Sequence, residues 1–134
     1  MKLMTKKEVV IDFYRLAFTK KDPQAACQLL AEGFIHNGEK KGRDGQKQVV
    51  EYFINAFPDM EHQIDLIFGE GDFVSARQTW KGTQKGEFMG VQATGKVITF
   101  NSTAILRVMD NTIAEAIDCY NMYDIYKQMG EIPV

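Results

Sequence analysis

The spacing of apolar residues changes once along the chain, and this change limits the possible folds. Up to about residue 57 apolar residues recur every three or four positions, as on one face of a helix. From Met60 onward they alternate with polar residues, as in a strand with one buried face. Helices followed by antiparallel strands predict an α+β fold, in which a curved sheet bends around the N-terminal helices and these cover one of its faces. Such a sheet leaves a conical pocket beside the helices, a common place for a small apolar ligand.

Three helices are predicted before the change of period. Thr5 and Glu8 form a capping box at the start of the first helix, and Asp22 and Pro23 suit the N-cap and first position of the second. The predicted helices extend to about Thr19, from Pro23 through Leu30, and from about Asp44 to Ala56.

Four long strands are predicted after the change of period, and a brief extended segment is predicted between the second and third helices. Met60, His62, Ile64, Leu66 and Phe68 are expected to share one face of the first long strand. Asp110 and Asn111 suit a tight hairpin turn between the last two strands. The predicted extended segments are Gly33–Asn37, Met60–Gly69, Phe73–Thr83, Lys96–Met109 and Thr112–Tyr123.

The segment from Gly82 through Gly90 to Phe100 is predicted to contain the end of one strand, a fixed glycine-rich loop and the start of another strand. Glycine allows positive φ and close approach of the backbone, which suits a defined loop shape. Phe88 and Met89 lie at the middle of this loop, so it is expected to fold over another feature, such as a cavity mouth. The alternative is a long hairpin that packs Phe88 on its own sheet.

Composition excludes several classes of function. The 134 residues suit a single domain, 1–134, and the formal net charge of -2 gives no electrostatic case for binding nucleic acid or an anionic membrane. The segment MKLMTKKEVV lacks an apolar stretch of the length that a signal peptide needs, and we expect no segment to span a bilayer. Cys27 and Cys119 lack a CxxC context and are expected to be buried hydrophobes in a cytoplasmic protein.

Asp118 is the main candidate for catalysis. It belongs to the alternating run Ala114, Ala116, Asp118, Tyr120 and Met122 in the last strand. A carboxylate among apolar neighbours is desolvated, which favours its protonated form and suits it to proton transfer. The alternative is that this face is exposed and Asp118 is a surface acid, since a register slip of one residue turns every side chain to the other face.

Other polar side chains are candidates for binding a substrate. His36 alternates with Phe34 and could bind a ligand or have a hydrogen-bonded structural role. His62 lies on a largely apolar face and is either a second polar group of the pocket or a partly exposed residue at the strand end. Ser102 could hydrogen-bond to Asp118 or to backbone. The two histidines lack a metal-ligand spacing and no third ligand is evident, so we expect no metal site.

Aromatic residues could surround a flat ligand or simply fill the core. Trp80 and Phe88 flank the glycine-rich loop and are the better candidates for ligand contact, with Tyr14. The full aromatic set comprises Tyr14, Phe18, Phe53, Phe57, Trp80 and Phe88.

Several segments together resemble one known family. The chain is similar to SnoaL-like polyketide cyclases, or ester cyclases, within the nuclear-transport-factor-2-like (cystatin-like) superfamily. The similar segments, in order, are VVIDFYRLAF, FIHNG, AFPDM, GEGDFVSAR, GTQKGEFMGVQATGKVITF and ILRVMDNTIAEAIDCYNMYDIYKQMG. The resemblance implies an α+β cone, a homodimer through the open sheet face, and a cofactor-free intramolecular aldol ring closure.

The resemblance also implies roles for individual residues. Asp118 falls on the acidic residue of the family's EHWD-like motif, the proposed acid/base, and His36 on a histidine frequent in the first strand. The chain departs from the family's motifs GTHxGEF, EHWD and PPTG. The departures are Gln84; Ala116 and Ile117; and Gln92 and Ala93.

The sequence therefore favours a cyclase- or isomerase-like enzyme acting on a hydrophobic, carbonyl-bearing small molecule. Asp118 would exchange the proton, and the expected substrate-binding residues are Tyr14, His36, His62, Trp80, Gln84, Phe88 and Ser102. One alternative is a binding protein without catalysis on the same scaffold. Another is epoxide hydrolysis or double-bond isomerisation, which needs a further pocket carboxylate or a positioned water.

Overall fold

A computed structural model describes residues 4–131 and has the predicted α+β architecture. The helices are α1 (Lys6–Tyr14), continued by a π-helical turn (Arg15–Thr19), α2 (Pro23–Cys27), α3 (Gly42–Ala56) and α4 (Met122–Met129). The strands are β1 (Leu30–His36), β2 (Glu39–Lys40), β3 (Glu61–Glu70), β4 (Phe73–Thr83), β5 (Val97–Met109) and β6 (Thr112–Tyr120).

The six strands form one curved, unclosed sheet in the order β2-β1-β6-β5-β4-β3. Neighbouring strands are antiparallel except β1 and β6, which are parallel. Helix α1 packs against β3, β4, β5 and β6, and α3 packs against β1. The buried apolar core therefore lies between the helices and one face of the sheet, as the sequence predicts.

The capping signals of the first two helices are confirmed. The Thr5 hydroxyl accepts a hydrogen bond from the Glu8 backbone N–H at 3.1 Å, and the Glu8 carboxylate accepts from the Thr5 N–H at 2.9 Å. The Asp22 carboxylate accepts from the Ala25 N–H at 3.0 Å. The second helix is shorter than predicted, because α2 ends at Cys27 and the chain enters β1 at Leu30.

A β-bulge at Asp65 interrupts the alternation of β3. Ile64 pairs with Gln78, whereas Leu66 pairs with Arg77, so one residue of β3 is extra. The prediction of one continuous apolar face is therefore wrong beyond Ile64. Leu66 and Phe68 lie on the outward face of the sheet and are 58% and 57% exposed.

A second bulge, at Ala114, sets the orientation of Asp118. Asp110 and Asn111 have φ of 52° and 62°, as a tight hairpin turn requires, and the pairing starts at Met109 and Thr112. An unbroken ladder from this turn would pair Asp118 with Thr103, on the outward face. The extra residue moves Asp118 opposite Ala104, on the concave face, and takes Ala114 out of the predicted run.

The last predicted strand is too long, and a fourth helix follows it. Strand β6 ends at Tyr120, and the Asn121 side chain caps α4 by accepting from the Asp124 N–H at 3.0 Å. Gly130 ends the helix with φ of 84°. Met122 therefore belongs to α4, and the predicted strand Thr112–Tyr123 is wrong beyond Tyr120.

The glycine-rich loop between β4 and β5 packs on α3. An added Cβ at Gly86 would lie 2.7 Å from the Asn55 carbonyl oxygen, so only glycine allows this approach. Phe88 is fully buried, with ring centroids 5.1 Å from Phe57 and 5.3 Å from Phe53. The loop folds over the end of α3 and does not pack Phe88 on its own sheet.

Candidate functional site

A narrow cavity of about 70 Å³, here called the inner cavity, lies between the concave face of the sheet and helices α1 and α3. Its lining is mainly aromatic and aliphatic, and among the described residues that line it there is no lysine or arginine. The polar residues of its lining are Tyr14, His36, Gln46, Gln78, Ser102, Asp118 and Tyr120. Its aromatic residues other than tyrosine are Phe13, Phe18, Phe34, Phe53, Trp80 and Phe100.

The Asp118 carboxylate lines this cavity and is held by two neighbouring residues. His36 Nε2 lies 3.2 Å from Oδ1 and 3.1 Å from Oδ2, and the Asn37 side-chain amide donates to Oδ1 at 3.1 Å. The side chains of Asp118 and His36 are 25% and 17% exposed. The carboxylate is thus oriented by hydrogen-bond donors while part of it remains open to a ligand.

The parallel pairing of β1 with β6 brings these residues together. His36 pairs with Ala116, and the Asn37 backbone N–H donates to the Ala116 carbonyl at 2.9 Å. Asn37 has φ of 48°, a left-handed conformation that asparagine tolerates better than most residues. Its side-chain Oδ1 accepts from the Asp118 N–H at 2.8 Å.

A second polar cluster lies on the cavity wall formed by β3, β4 and α1. His62 Nε2 is 2.5 Å from Gln78 Oε1; because this oxygen can only accept, His62 is the donor. Tyr14 lies beside this pair, with its ring stacked on that of His62 at 5.0 Å between centroids. Trp80 Nε1 donates to Ser102 Oγ at 2.8 Å.

The register of the sheet gives the separation of the two clusters. On the concave face one row of directly paired residues consists of Gln78, Ser102 and Tyr120. The adjoining row consists of Ala76, Ala104 and Asp118. Asp118 is therefore two strands and one row from Gln78, roughly 12 Å between backbones. Ala76 and Ala104 are fully buried.

An open depression, here called the outer cleft, adjoins the inner cavity and has a volume of about 520 Å³. Four residues line both spaces: His36, Val49, Phe53 and Tyr120. Met89, at the tip of the glycine-rich loop, lines the cleft, so this loop reaches the entrance as the sequence suggests. The boundary between the two spaces includes His36, the residue that contacts Asp118.

Burial shifts the protonation of several groups around the cavity. It raises the pKa of Tyr14 far above its usual value, an effect only partly offset by the Gln78 side chain. Burial, and then the negative charge of Asp118, raises the pKa of Tyr120 to about 12. Burial lowers the pKa of His62 despite its hydrogen bond to Gln78. Both tyrosines therefore keep their hydroxyl protons at neutral pH and can act as donors.

Comparison with known proteins identifies the family. The family model described as SnoaL-like polyketide cyclase matches residues 8–129, nearly the whole chain. The chain belongs to this family. The resemblance read from the sequence motifs is thereby confirmed.

Two curated relatives of this SnoaL-like protein are cyclases from Streptomyces. It is 27% identical over 97 residues to aklanonic acid methyl ester cyclase DnrD of Streptomyces peucetius, covering 72% of this chain and 67% of the relative. It is equally similar to the cyclase of the same name, DauD, of Streptomyces sp. strain C5, of which the match covers 60%.

Solved structures share the fold of this SnoaL-like protein. AclR, a proposed hydroxylase from Streptomyces galilaeus, is 26% identical with a TM-score of 0.83, over 96% of this chain and 97% of that one. TsrD from Streptomyces laurentii has a TM-score of 0.88 at 21% identity, over 98% and 100% of the two chains. A SnoaL-like polyketide cyclase from Agrobacterium tumefaciens has a TM-score of 0.84 at 16% identity, over 96% and 100%.

Three residues expected to bind substrate, His62, Gln84 and Phe88, lie outside the cavity lining. Gln84 is fully buried, where its amide donates to the carbonyls of Gly86 and Val91 and accepts from Thr94. Phe88 is buried against α3. Both hold the glycine-rich loop and do not face the inner cavity.

The other expected residues, Tyr14, His36, Trp80 and Ser102, line the cavity. His62 lies directly behind this lining, with its ring centroid 4.3 Å from that of Trp80. Ser102 is not the partner of Asp118 that the sequence allowed, because its oxygen accepts from Trp80 and its strand pairs it with Tyr120.

Three site residues were missed at the sequence level, although each has a signal. Asn37 precedes Gly38, and an Asn-Gly pair between extended segments is a strong hairpin signal that would have placed it beside His36. Gln78 alternates with buried Ala76 and Trp80 in β4, which marks it as an inward polar residue. Tyr120 follows Asp118 in the same alternating run of the last strand, and this position predicts that both side chains lie on one face.

The part of the chain between residues 4 and 131 offers no cluster of three or more histidine, cysteine, aspartate or glutamate side chains able to hold a metal ion. Within the same range, no helix is long and apolar enough to cross a membrane.

Cys27 is buried, whereas Cys119 is exposed on the outward sheet face, so the expectation that both cysteines are buried is wrong for Cys119.

Proposed function

We propose that this family member catalyses a cofactor-free, intramolecular aldol-type cyclisation of a hydrophobic, carbonyl-bearing small molecule. The observation that carries the proposal is the Asp118 carboxylate, which lines an apolar cavity and is held by His36 and Asn37. A positioned carboxylate in such a site can take a proton from carbon next to a carbonyl.

The proposed reaction returns its proton and needs no other reactant. Asp118 removes a proton from a carbon flanked by carbonyl groups, which leaves an enolate. The enolate carbon attacks a second carbonyl carbon of the same molecule, and a carbon–carbon bond forms. The resulting alkoxide takes the proton back from Asp118, so that one C–H bond is replaced by one O–H bond. His36 and Asn37 keep the carboxylate oriented through both transfers.

The sizes of the two spaces suggest how the substrate lies. A cavity of about 150 Å³ can hold one benzene ring. The inner cavity has roughly half of that volume, whereas the outer cleft has room for several rings. We infer that the ring system occupies the outer cleft and that only a short carbonyl-bearing arm enters the inner cavity, passing Asp118.

The proposal is tested by comparing the rate of substrate turnover by the wild-type protein with the rate of the Asp118→Asn variant. Aklanonic acid methyl ester, the compound in the relatives' names, is the first substrate, followed by other polyaromatic methyl esters and ketones. The variant should bind as wild type does and lose about 10²–10⁴-fold in rate. Asp12→Asn, a surface carboxylate on α1, is the matched control. Equal turnover by wild type and Asp118→Asn would refute the proposal.

A binding protein without catalysis is the second candidate. The small inner cavity favours it, because the packed aromatic side chains leave little room for a reacting arm. Ligand binding in wild type with no turnover of any compound in the panel would support this candidate.

We infer further that the partner is a second copy of the chain, bound through the outward face of the sheet. This face carries several exposed apolar side chains, including Leu66, Phe68, Phe73, Ile105 and Ile117. Ile105 and Ile117 pair directly across the sheet, and exposed apolar side chains grouped on one face are typical of an interface. Light scattering after size exclusion should give a dimer for wild type and a monomer for Ile105→Glu; a monomeric wild type would refute the inference.

A further inference from the structure

We propose that Tyr14 and Ser102, which lie beside Gln78 and Trp80, form a subsite that presents hydrogen-bond donors and selects a neutral carbonyl oxygen of the ligand. We call this pair of hydroxyl groups the donor floor. The proposal rests on the proposed function only in that the same cavity binds a ligand, and it requires no turnover.

The first hydroxyl lies beside a hydrogen-bonded pair of side chains. His62 donates to the Gln78 carbonyl oxygen, so the other end of the Gln78 amide, which carries two N–H groups, is left as a donor. Tyr14 lies beside this amide, because its ring stacks on that of His62 at 5.0 Å between centroids. Burial raises the pKa of Tyr14, whereas Gln78 acts to lower it, which is the effect of a donor to the tyrosine oxygen. The Tyr14 proton therefore remains for a third group, and Tyr14 lines the inner cavity.

The second hydroxyl is oriented in the same sense. The Trp80 indole can only donate, and its N–H donates a hydrogen bond to the Ser102 hydroxyl oxygen at 2.8 Å. The Ser102 proton is thus also available, and Ser102, which is 5% exposed, lines the same cavity. Two hydroxyl groups whose oxygens already accept from the protein offer a ligand donors in preference to acceptors.

The charge of the surroundings restricts the oxygen that can bind. No lysine or arginine occurs among the described residues of the cavity lining, and the Asp118 carboxylate lies in the next row of the sheet. A ligand carboxylate at the donor floor would be buried without a cation and close to a like charge. A ketone, quinone or ester carbonyl accepts the same two hydrogen bonds without that cost.

The donor floor is within reach of a short arm that enters from the outer cleft. Tyr120 lines both spaces and pairs directly with Ser102 in the sheet, one strand spacing away, about 5 Å. A ligand with its ring in the cleft can therefore reach Ser102 with a chain of a few atoms.

The proposal is tested with three probes that share a phenyl ring and a short arm. These are 4-phenyl-2-butanone, (3-methylbutyl)benzene, in which a methyl group replaces the carbonyl oxygen, and 3-phenylpropanoate. Affinity is measured from the NMR resonance of the Trp80 indole N–H, which belongs to the chain's single tryptophan. We expect the ketone to bind more tightly than the carboxylate in wild type.

The decisive quantity is the affinity ratio of ketone to hydrocarbon, compared between variants. Tyr14→Phe and Ser102→Ala should each lower this ratio by about 2- to 10-fold, the effect of one neutral hydrogen bond. Tyr123→Phe and Ser75→Ala make the same changes on exposed or outward positions and should leave it unaltered.

An unchanged ratio in both Tyr14→Phe and Ser102→Ala, or tighter binding of 3-phenylpropanoate than of the ketone, would overturn the proposal. Thermal melting of each variant establishes that it is folded. Because only binding is measured, the donor floor can be confirmed even if Asp118→Asn shows that no cyclisation occurs.

Discussion

The side-chain amide of Asn37 extends the β1–β6 ladder by one residue and places the Asp118 carboxylate. Its oxygen accepts from the Asp118 backbone N–H at 2.8 Å, and its N–H group donates to the carboxylate at 3.1 Å. One amide therefore fixes both the backbone and the side chain of the proposed catalytic residue. The left-handed backbone of Asn37 makes this geometry possible.

Replacing Asn37 with glycine should release Asp118 without straining the turn, because glycine accepts the same positive φ. We expect a loss of about 1–2 kcal/mol in the free energy of unfolding and about 10-fold faster hydrogen exchange at the Asp118 amide. The measurements are urea unfolding and exchange followed by NMR. Exchange as slow as in wild type would show that the Asn37 side chain does not protect this amide.

His36→Phe should slow the proposed cyclisation while leaving the ring contact with Phe34, whose centroid is 6.3 Å away. The change removes a donor to the carboxylate, worth about 1.5–3 kcal/mol for a charged acceptor, or roughly 10- to 150-fold in rate. We expect the effect in kcat, measured with the substrate panel. His62→Gln, which keeps a donor to Gln78, is the control, and an equal loss there would contradict a specific role for His36.

Gln84→Leu should destabilise the fold and leave ligand binding unchanged. The substitution removes the donors to the Gly86 and Val91 carbonyls and the acceptor for Thr94, all in a buried setting. We expect a loss of about 2–4 kcal/mol in urea unfolding. A change in ketone affinity larger than the change for an equally destabilised core variant would instead place Gln84 in the binding site.

Acidification should destabilise the protein through His62. Burial holds the pKa of His62 below its usual value of about 6.5. As pH falls below that value, the unfolded chain takes up a proton that the folded chain does not, so the free energy of unfolding decreases by at most about 1.4 kcal/mol per pH unit. In urea unfolding between pH 7.5 and 5, His62→Gln should show a weaker pH dependence than wild type. A parallel profile would contradict this.

Gln46→Met should stabilise the protein. Gln46 is 8% exposed, and its side-chain oxygen is buried without a hydrogen-bond partner among the described residues. Methionine has a similar length and no group to desolvate, so the expected gain is about 1–3 kcal/mol in urea unfolding. Gln48→Met, on the exposed side of the same helix, should have almost no effect. A loss of stability in Gln46→Met would mean that the amide is satisfied after all.

Local signals in the sequence were sufficient for the fold. The Thr5 capping box, the Asp110-Asn111 turn and the change of apolar spacing each depend on residues close together in the chain. The bulges at Asp65 and Ala114 could not be predicted in this way, because a bulge is set by how two strands pair over their whole length.

The site was predicted only in part, for a similar reason. The sequence proposes Asp118 and His36 separately, because their contact joins residues 82 positions apart and depends on the parallel pairing of β1 with β6. Gln84 was assigned to the pocket by its position in a motif, whereas hydrogen bonds to its own loop determine its place.

Because β6 contains the extra residue Ala114, the number of residues between the turn and Asp118 decides whether the proposed catalytic carboxylate faces the cavity. Side chains of a strand alternate between its two faces, so whether Asp118 points inward depends on an odd or even count from the turn. If the bulge stayed as it is, one residue inserted between Asn111 and Asp118 would turn Ile117 toward the ligand. One residue deleted there would turn Cys119 toward it. Related chains can therefore share every nearby motif and still differ in the side chain that meets the substrate.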